Sequence, residues 1–135
     1  MKLFSWITAI LCVAALSTVS AQTLSSGAEI SWEKNAHDFG EIIEGEKVEY
    51  TFKFTNTGTE PLVITNVQVT CGCTTPKGWP RDPIASGKKA ELIVQFNSTG
   101  KMGRQNKVVT VISNAAGGNS QITFAATVLE KKIQN

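Results

Sequence analysis

Apolar and polar residues alternate along much of the chain. In the segment 47–56 every second residue from Val48 to Phe54 is apolar, and the residues between them are charged or Thr. Because successive side chains of a β-strand point to opposite faces, this alternation predicts a half-buried strand with one face in water. Residues 90–96 and 122–128 show the same period and predict two further strands of this kind.

Other segments depart from simple alternation in informative ways. The apolar positions of residues 62–70 change parity, which predicts a β-bulge or bend near Thr65 and Asn66. Residues 108–112 are apolar on both faces, as expected of a central strand. Weaker patterns predict two earlier strands, over residues 30–33 and 39–43.

The pattern as a whole predicts the fold class. No sustained helical period follows Ala21, and about seven short strands are separated by turn residues. We therefore predict an all-β chain forming a single immunoglobulin-like antiparallel β-sandwich, with a barrel as the alternative. The Cys, Trp, Cys arrangement of antibody domains is missing, because the last two cysteines are two residues apart. The predicted organisation is a signal peptide at 1–21, an N-terminal segment with a weak first strand at 22–38, the immunoglobulin-like domain at 39–129 and a C-terminal tail at 130–135.

The amino-terminal segment has the features of an export signal. Lys2 precedes an apolar run that extends to Leu16, and small residues lead to a cleavage site after Ala21. The run is shorter than the roughly 20 residues of a membrane-spanning helix. We therefore predict an exported protein, periplasmic or extracellular, with no stable membrane span after cleavage. Cys12 lies within the run and is removed with the signal in this interpretation.

Composition and charge narrow the function classes. The 135 residues are 41% hydrophobic and carry 13 Lys and Arg against 11 Asp and Glu. A domain of this size buries more than about 60% of its unfolded surface, so it needs no metal or disulfide framework to fold. The nearly balanced charge argues against a nucleic-acid-binding protein. We predict neither a nucleic-acid partner nor a cofactor.

The clearest candidates for a chemical role are two cysteines, Cys71 and Cys73, which are separated by one glycine. A disulfide would require Gly72 to bend the backbone, because an extended segment reaches only the upper limit of the Cα separation. Closing a three-residue loop contributes about 1.6 kcal/mol before any strain. A redox role needs a lowered thiol pKa, and the closest cations in sequence are Lys77 and Arg81. A disulfide or a merely packed pair is the preferred interpretation, and a redox pair is the alternative.

Metal binding has weaker support in the sequence. A closed thiolate site usually has four Cys or His ligands. Besides Cys71 and Cys73, the part of the chain after the predicted signal offers only His37 and Met102 as further ligands, a set that suits Cu(I). Nothing in the sequence brings those two residues to the cysteines, so no metal site is predicted and copper handling remains a less favoured alternative.

No catalytic constellation can be assembled from the residues after the signal. His37 is the single histidine, and no serine lies in a nucleophile-elbow motif. We therefore predict that the protein is not an enzyme.

Trp79 lies in a loop between Gly78 and Pro80. A core cap is the preferred role for this ring, and a partner hot spot is the alternative.

Several short motifs carry a family resemblance. They are Phe39-Gly40-Glu41-Ile42 with Gly45, Phe52 to Gly58, Pro61-Leu62, Thr70-Cys71-Gly72-Cys73-Thr74, Trp79-Pro80, Pro83-Ile84-Ala85 with Gly87, Gly100-Lys101 and Gln105-Asn106-Lys107. From Phe39 to Val128 the chain resembles the bacterial domain-of-unknown-function family 1573, and the Cys-Gly-Cys-Thr block is the most specific element. One departure is Ser86, where family members often have Pro; Ser is an acceptable turn residue.

The resemblance carries implications for fold and compartment. The family is common in exported proteins of Bacteroidetes-type bacteria. The resemblance implies an immunoglobulin-like sandwich related to the modules of cilia-associated and major-sperm-protein-like domains, and it implies no established activity. Two hypotheses therefore stand. The preferred one is a non-catalytic module that binds another envelope protein through a sheet edge or loops, and the alternative is a thiol-active or copper-handling periplasmic protein using Cys71 and Cys73.

Overall fold

The computed structural model describes residues 26–133, so the predicted signal peptide lies outside the described residues. Within this range the chain forms eight strands and no helix. No helix of the described range could therefore cross a membrane. The strands are β1 (Ile30–Trp32), β2 (Ala36–Ile43), β3 (Lys47–Asn56), β4 (Ile64–Val69), β5 (Thr74–Gly78), β6 (Lys89–Asn97), β7 (Gly103–Ser113) and β8 (Ser120–Leu129).

The strands form two four-stranded sheets that pack as a sandwich. Sheet 1 has the order β1-β3-β6-β5, and sheet 2 has the order β2-β8-β7-β4. All neighbouring strands are antiparallel except β2 and β8, which run parallel. The prediction of an all-β, immunoglobulin-like sandwich is confirmed, with eight strands instead of about seven and with one mixed sheet.

The strand that the pattern did not predict is β5. Its sequence, Thr-Thr-Pro-Lys-Gly, has no apolar alternation and contains two turn residues. It forms a strand because its backbone pairs with β6, where Thr74 lies opposite Phe96 and Pro76 opposite Val94. Proline lacks a backbone N–H and is tolerated at a sheet edge, which is where β5 lies.

Alternate residues of both sheets form one hydrophobic core. The inward side chains of β3 and β6 meet those of β7 and β8, and Phe96 lies 5.5 Å from Phe124 across the sandwich between ring centroids. Each fully buried side chain of this size contributes roughly 1.5–3 kcal/mol. The largest apolar side chains with less than 2% exposure are those of Phe52, Phe54, Phe96, Leu62, Leu92, Ile122, Val94, Val109, Val111 and Val128.

Two details of strand pairing confirm the sequence pattern. The register of β4 against β7 shifts between Ile64 and Asn66, where the change of parity predicted a bulge. The strand β7 pairs with both β4 and β8 and is central, as its apolar faces predicted.

The sandwich begins earlier in the chain than residue 39. The strand β2 begins at Ala36, and β1 pairs with β3.

A buried amide fixes the turn that follows β3. Asn56 has no exposed surface, and its Oδ1 accepts hydrogen bonds from the backbone N–H groups of Glu29 and Gly58. Its Nδ2 donates to the carbonyl oxygens of Glu60 and Ile84. Gly58 itself lies so close to the Gly27 carbonyl that a Cβ would collide with it. The side chain of Asn56 thus binds backbone groups of three segments and holds them together.

Candidate functional site

The outer face of sheet 1 carries charged side chains of both signs. Glu49 on β3 accepts a 2.5 Å contact from the ammonium of Lys77 on β5 and a 3.2 Å hydrogen bond from Gln95. Nearer the β1 edge, a shallow depression of about 650 Å³ is lined by further charged groups. We call this surface the charged face, defined by Glu33, Glu49, Lys53, Lys77, Lys89 and Glu91.

The outer face of sheet 2 has a centre without charge. The register places Val108 opposite Thr123 and Asn106 opposite Ala125, with Ala36 of the edge strand beside Thr123. A shallow depression of about 550 Å³ lies over these residues, and Asp38, Arg104 and Lys107 also line it. Lys107 lies between Asn106 and Val108 in the sequence. It is two residues from the buried Val109 and so belongs to the inner side of β7, not to the outward-facing residues. We call this surface the uncharged face, defined by Ala36, Asn106, Val108, Thr110, Thr123 and Ala125.

One end of the same face is apolar. Ile43 and Leu129 are paired residues of β2 and β8, and 39% and 38% of their surfaces are exposed. Met102 is 57% exposed. Met102 directly precedes Gly103, which pairs with Val128, so Met102 lies near the end of β8 that carries Leu129. Three of the four exposed large hydrophobic residues between 26 and 133 therefore lie together at this end.

An ion pair separates the uncharged centre from the apolar end. Arg104 Nη2 donates to Asp38 Oδ2 at 2.7 Å, and Nη1 lies 3.3 Å from Thr127 Oγ1. The hydrogen bond from Arg104, followed by the one from the Gly40 N–H, lowers the pKa of Asp38. The same hydrogen bond raises the pKa of Arg104. The two charges compensate each other, and the exposed Glu41 opposite Thr127 adds one negative charge at this border.

The four edge strands each have a feature that opposes pairing with another chain. The strand β1 has three residues, and β5 contains Pro76. The strand β4 has the register shift already described, and β2 has another between Asp38 and Glu41. Gly40, inside that second irregularity, has a φ of 72°, which a residue with a side chain rarely adopts. Short, bulged or proline-containing edges are those that proteins use to avoid edge-to-edge association.

Cys71 and Cys73 lie in the turn that takes the chain from β4 of sheet 2 to β5 of sheet 1. Their sulfur atoms are joined, and their Cα atoms are 5.1 Å apart. The turn is fixed by two backbone hydrogen bonds, from Thr74 N–H to the Cys71 carbonyl at 3.1 Å and from Asn97 N–H to the Cys73 carbonyl at 2.8 Å. The bend that the sequence required of Gly72 is therefore present.

The structure places the other two candidate copper ligands away from this turn. His37 lies on β2, where its ring stacks on Tyr50 at 3.7 Å and meets Phe39 edge-on at 4.7 Å. Partial burial is the main cause that lowers the pKa of His37. Met102 belongs to the apolar end described above. Among residues 26–133, no three side chains of the His, Cys, Asp and Glu types are grouped as a metal site would require.

Trp79 follows β5 and contacts both the hydrophobic core and a charged side chain. Its ring packs, partly buried, against the hydrophobic core. The guanidinium carbon of Arg81 lies 3.6 Å from the ring centroid, a cation–π arrangement. Core packing and the Arg81 guanidinium therefore each cover part of this ring.

The uncharged face is the feature that sequence reasoning missed. Its residues come from three strands that are distant in sequence, so it becomes visible only once the strand order is known. A signal did exist, because the outward positions of β8 are Gln121, Thr123, Ala125 and Thr127, with no charge among them. The outward positions of β3, in contrast, include Glu49 and Lys53.

Comparison with known proteins finds one family and several structures. The sequence model of the family described as "Protein of unknown function (DUF1573)" matches residues 30–128. This confirms the family resemblance and extends it toward the amino terminus, to include β1. No curated protein matches the sequence.

The solved structures that match share the fold at low sequence identity. A protein of unknown function from Porphyromonas gingivalis W83 is 18% identical with a TM-score of 0.66, over 82% of this chain and 51% of that one. The PapD-like domain 7 of human CEP192 is 13% identical with a TM-score of 0.61, over 92% and 100%. The VesB protease of Vibrio cholerae is 17% identical with a TM-score of 0.58, over 74% and 31%. The chain thus spans about a third of VesB and half of the Porphyromonas protein, and these likenesses show the fold alone.

Proposed function

The chain belongs to the family described as "Protein of unknown function (DUF1573)", and we propose that it is an exported, non-catalytic module of the bacterial cell envelope that binds another protein. The single observation that carries this proposal is the contrast between the uncharged face and the charged face. A soluble domain of this size normally distributes charge over its whole surface. An outer sheet face with an uncharged centre and a cluster of exposed apolar residues is the kind of surface that proteins use for association.

The chemistry of this surface also defines the partner. A charged group of a partner placed over Val108 or Ala125 would lose water, and the neighbouring charges of Asp38 and Arg104 are already paired with each other, so the contact is unfavourable. A partner with an uncharged, partly apolar surface loses little on desolvation and gains from covering Ile43 and Leu129. We therefore identify the partner as an exported protein with such a surface. Binding is through the sheet face, because each of the four edges is blunted.

Site-specific photo-crosslinking in cells tests the proposal with a matched pair of positions. A photoreactive residue replaces Thr123 on the uncharged face or Thr75 on the charged side, both exposed threonines of outer faces. We expect a discrete adduct with a second envelope protein from position 123 and none from position 75. The further change Leu129→Glu should reduce the adduct at least tenfold, whereas Lys53→Glu should leave it unchanged.

The alternative results are distinct. An adduct with the mass of two copies of this chain would mean self-association and would overturn the assignment to a different partner. Lipid adducts would indicate a membrane surface. Equal adducts from positions 123 and 75, or no adduct from position 123, would contradict the uncharged face as the binding surface.

The export part of the proposal has a separate test. The apolar run and the small residues before Gln22 support cleavage after Ala21. Mass spectrometry of the chain recovered from the envelope fraction should find a mature protein that begins at Gln22. A chain that retains Met1, or one that begins at Cys12 with a lipid adduct, would contradict cleavage at this position.

A further inference from the structure

The turn between the two sheets holds a disulfide that closes a very small ring. Cys71 and Cys73 enclose a single residue, Gly72. Loop-closure entropy favours a disulfide less as the loop shortens, so this bond gains little from that source. The turn is partly exposed, and exposed disulfides that gain little stabilisation are the ones that proteins use for exchange.

The two sulfur atoms are not equivalent. Cys73 packs against the hydrophobic core, whereas Cys71 lies outside the packed set. The backbone N–H of Cys73 donates a hydrogen bond to Cys71 Sγ at 3.1 Å. In addition, a Cβ built on Gly72 meets no atom within 4 Å, so the space beside the ring is open. An incoming group therefore meets open space on the Gly72 side of the ring, and Cys71 is the less packed of its two sulfurs.

We propose that the Cys71–Cys73 disulfide oxidises an exported dithiol, and that Cys71 is the sulfur that forms the mixed disulfide. This inference is independent of the binding face in sheet 2. It assigns a redox role to the pair and gives the two sulfur atoms different roles.

The exchange takes place in two balanced steps. A thiolate of the dithiol attacks Cys71 Sγ, which forms the mixed disulfide, breaks the Cys71–Cys73 bond and releases the Cys73 thiolate, which takes a proton from water. The second thiolate of the dithiol then attacks its own partner sulfur in the mixed disulfide. That step forms the disulfide of the partner and releases Cys71 as a thiolate. Two electrons pass from the dithiol to the cysteine pair.

The geometry explains why Cys71 takes the exchanging role. Access decides which sulfur is attacked, because Cys71 is the less packed of the two. The hydrogen bond from the Cys73 N–H then stabilises Cys71 as the leaving thiolate of the second step. Cys73 is held by core packing and by the hydrogen bond from Asn97 to its carbonyl. It therefore stays in place beside Cys71 and can re-form the ring.

The test uses single-cysteine variants that preserve the backbone. Serine retains the N–H of residue 73, so Cys73→Ser keeps the donor to Cys71, and Cys71→Ser is the matched variant that leaves Cys73 alone. Both variants lack the ring equally. We expect Cys71 in C73S to react with oxidised glutathione at least tenfold faster at pH 7 than Cys73 in C71S, measured by mass spectrometry. Circular dichroism checks that both variants are folded.

The wild-type protein provides a second measurement that does not depend on the variants. The oxidised protein is mixed with dihydrolipoamide, and we expect the probe to be oxidised while two thiols appear on the protein. Limited alkylation of the reduced protein should label Cys71 at least fivefold more than Cys73. A disulfide that stays intact in excess dihydrolipoamide would show a purely structural bond. Equal labelling, or faster reaction of Cys73, would overturn the assignment of Cys71.

Discussion

The two outer faces of the sandwich are built on one core but differ in charge. On sheet 1, β3 and β6 bury Phe52 and Leu92 and present Lys53 and Glu91 to solvent. On sheet 2, β7 and β8 bury alternate residues in the same way but present mainly Thr, Asn, Ala and Val at the centre of the face. The core requires apolar residues only on the inner faces, so it places no demand on the outer ones. The difference between the outer faces is therefore not explained by the fold, and we attribute it to binding.

The ion pair of the charged face is not needed to explain the stability of the fold. The Lys77–Glu49 pair is exposed, and exposed pairs of this kind contribute about 0–1 kcal/mol. Exposed charges of both signs in general favour solubility and oppose nonspecific association. The uncharged face lacks that protection at its centre, which is why we assign binding to it.

The largest expected effect separates the inner from the outer surface of a single strand. Phe124 and Thr123 are neighbours on β8, one in the core and the other on the uncharged face. Phe124→Ala should lower the free energy of unfolding by about 3–5 kcal/mol, because it leaves a cavity. Thr123→Ala should change it by less than about 0.5 kcal/mol. Urea unfolding measures both, and a large loss for Thr123→Ala would mean that the uncharged face has a structural role.

A smaller effect separates the two outer faces directly. Val108 lies on the uncharged face, and Ile93 is an outward residue of sheet 1 that packs against Gly78. Val108→Lys should weaken partner binding at least tenfold, or about 1.4 kcal/mol, with little change in stability. Ile93→Lys should leave binding unchanged and reduce stability by about 1 kcal/mol through lost packing. Crosslinking from position 123 and urea unfolding provide the two measurements, and equal loss of binding in both variants would remove the distinction between the faces.

The smallest effect concerns pH, at a contact that joins the two sheets. His37 of sheet 2 stacks on Tyr50 of sheet 1. Desolvation, and then the nearby charge of Lys34, lower the pKa of His37, while Asp38 acts in the opposite direction. The folded state thus prefers the neutral ring, and the unfolded chain binds more protons in this range. The resulting stabilisation is complete above the unfolded pKa, about 6.5, and is lost as the pH falls through that value to the lower folded pKa.

Urea unfolding between pH 7.5 and pH 5 measures this dependence. The chain has a single histidine, so the variant His37→Gln removes the only group of that type. We expect the wild type to lose more stability than the variant over this interval. An equal loss in both proteins would show that other groups cause the dependence.

The strands with regular alternation could be predicted from the sequence, and the candidate site only in part. Phe52 and Phe54 recur with period two, so their strand and its buried face are local information. The strand β5 lacks that signal and depends on pairing with β6. The Cys71–Cys73 pair was visible as a motif, but the packing of one sulfur against the core and the hydrogen bond to the other depend on contacts made after folding.

The sequence by itself determined the all-β class, the positions of most strands and the family, because period-two patterning and turn residues act locally. The tertiary structure alone decided which strands are neighbours, and with them the parallel pairing of β2 with β8 and the joining of Ile43 and Leu129 into one apolar end. The physical reason is that alternation specifies which side of a strand is buried but not which strand lies beside it. A surface shared by three strands therefore exists only after the sheet has assembled.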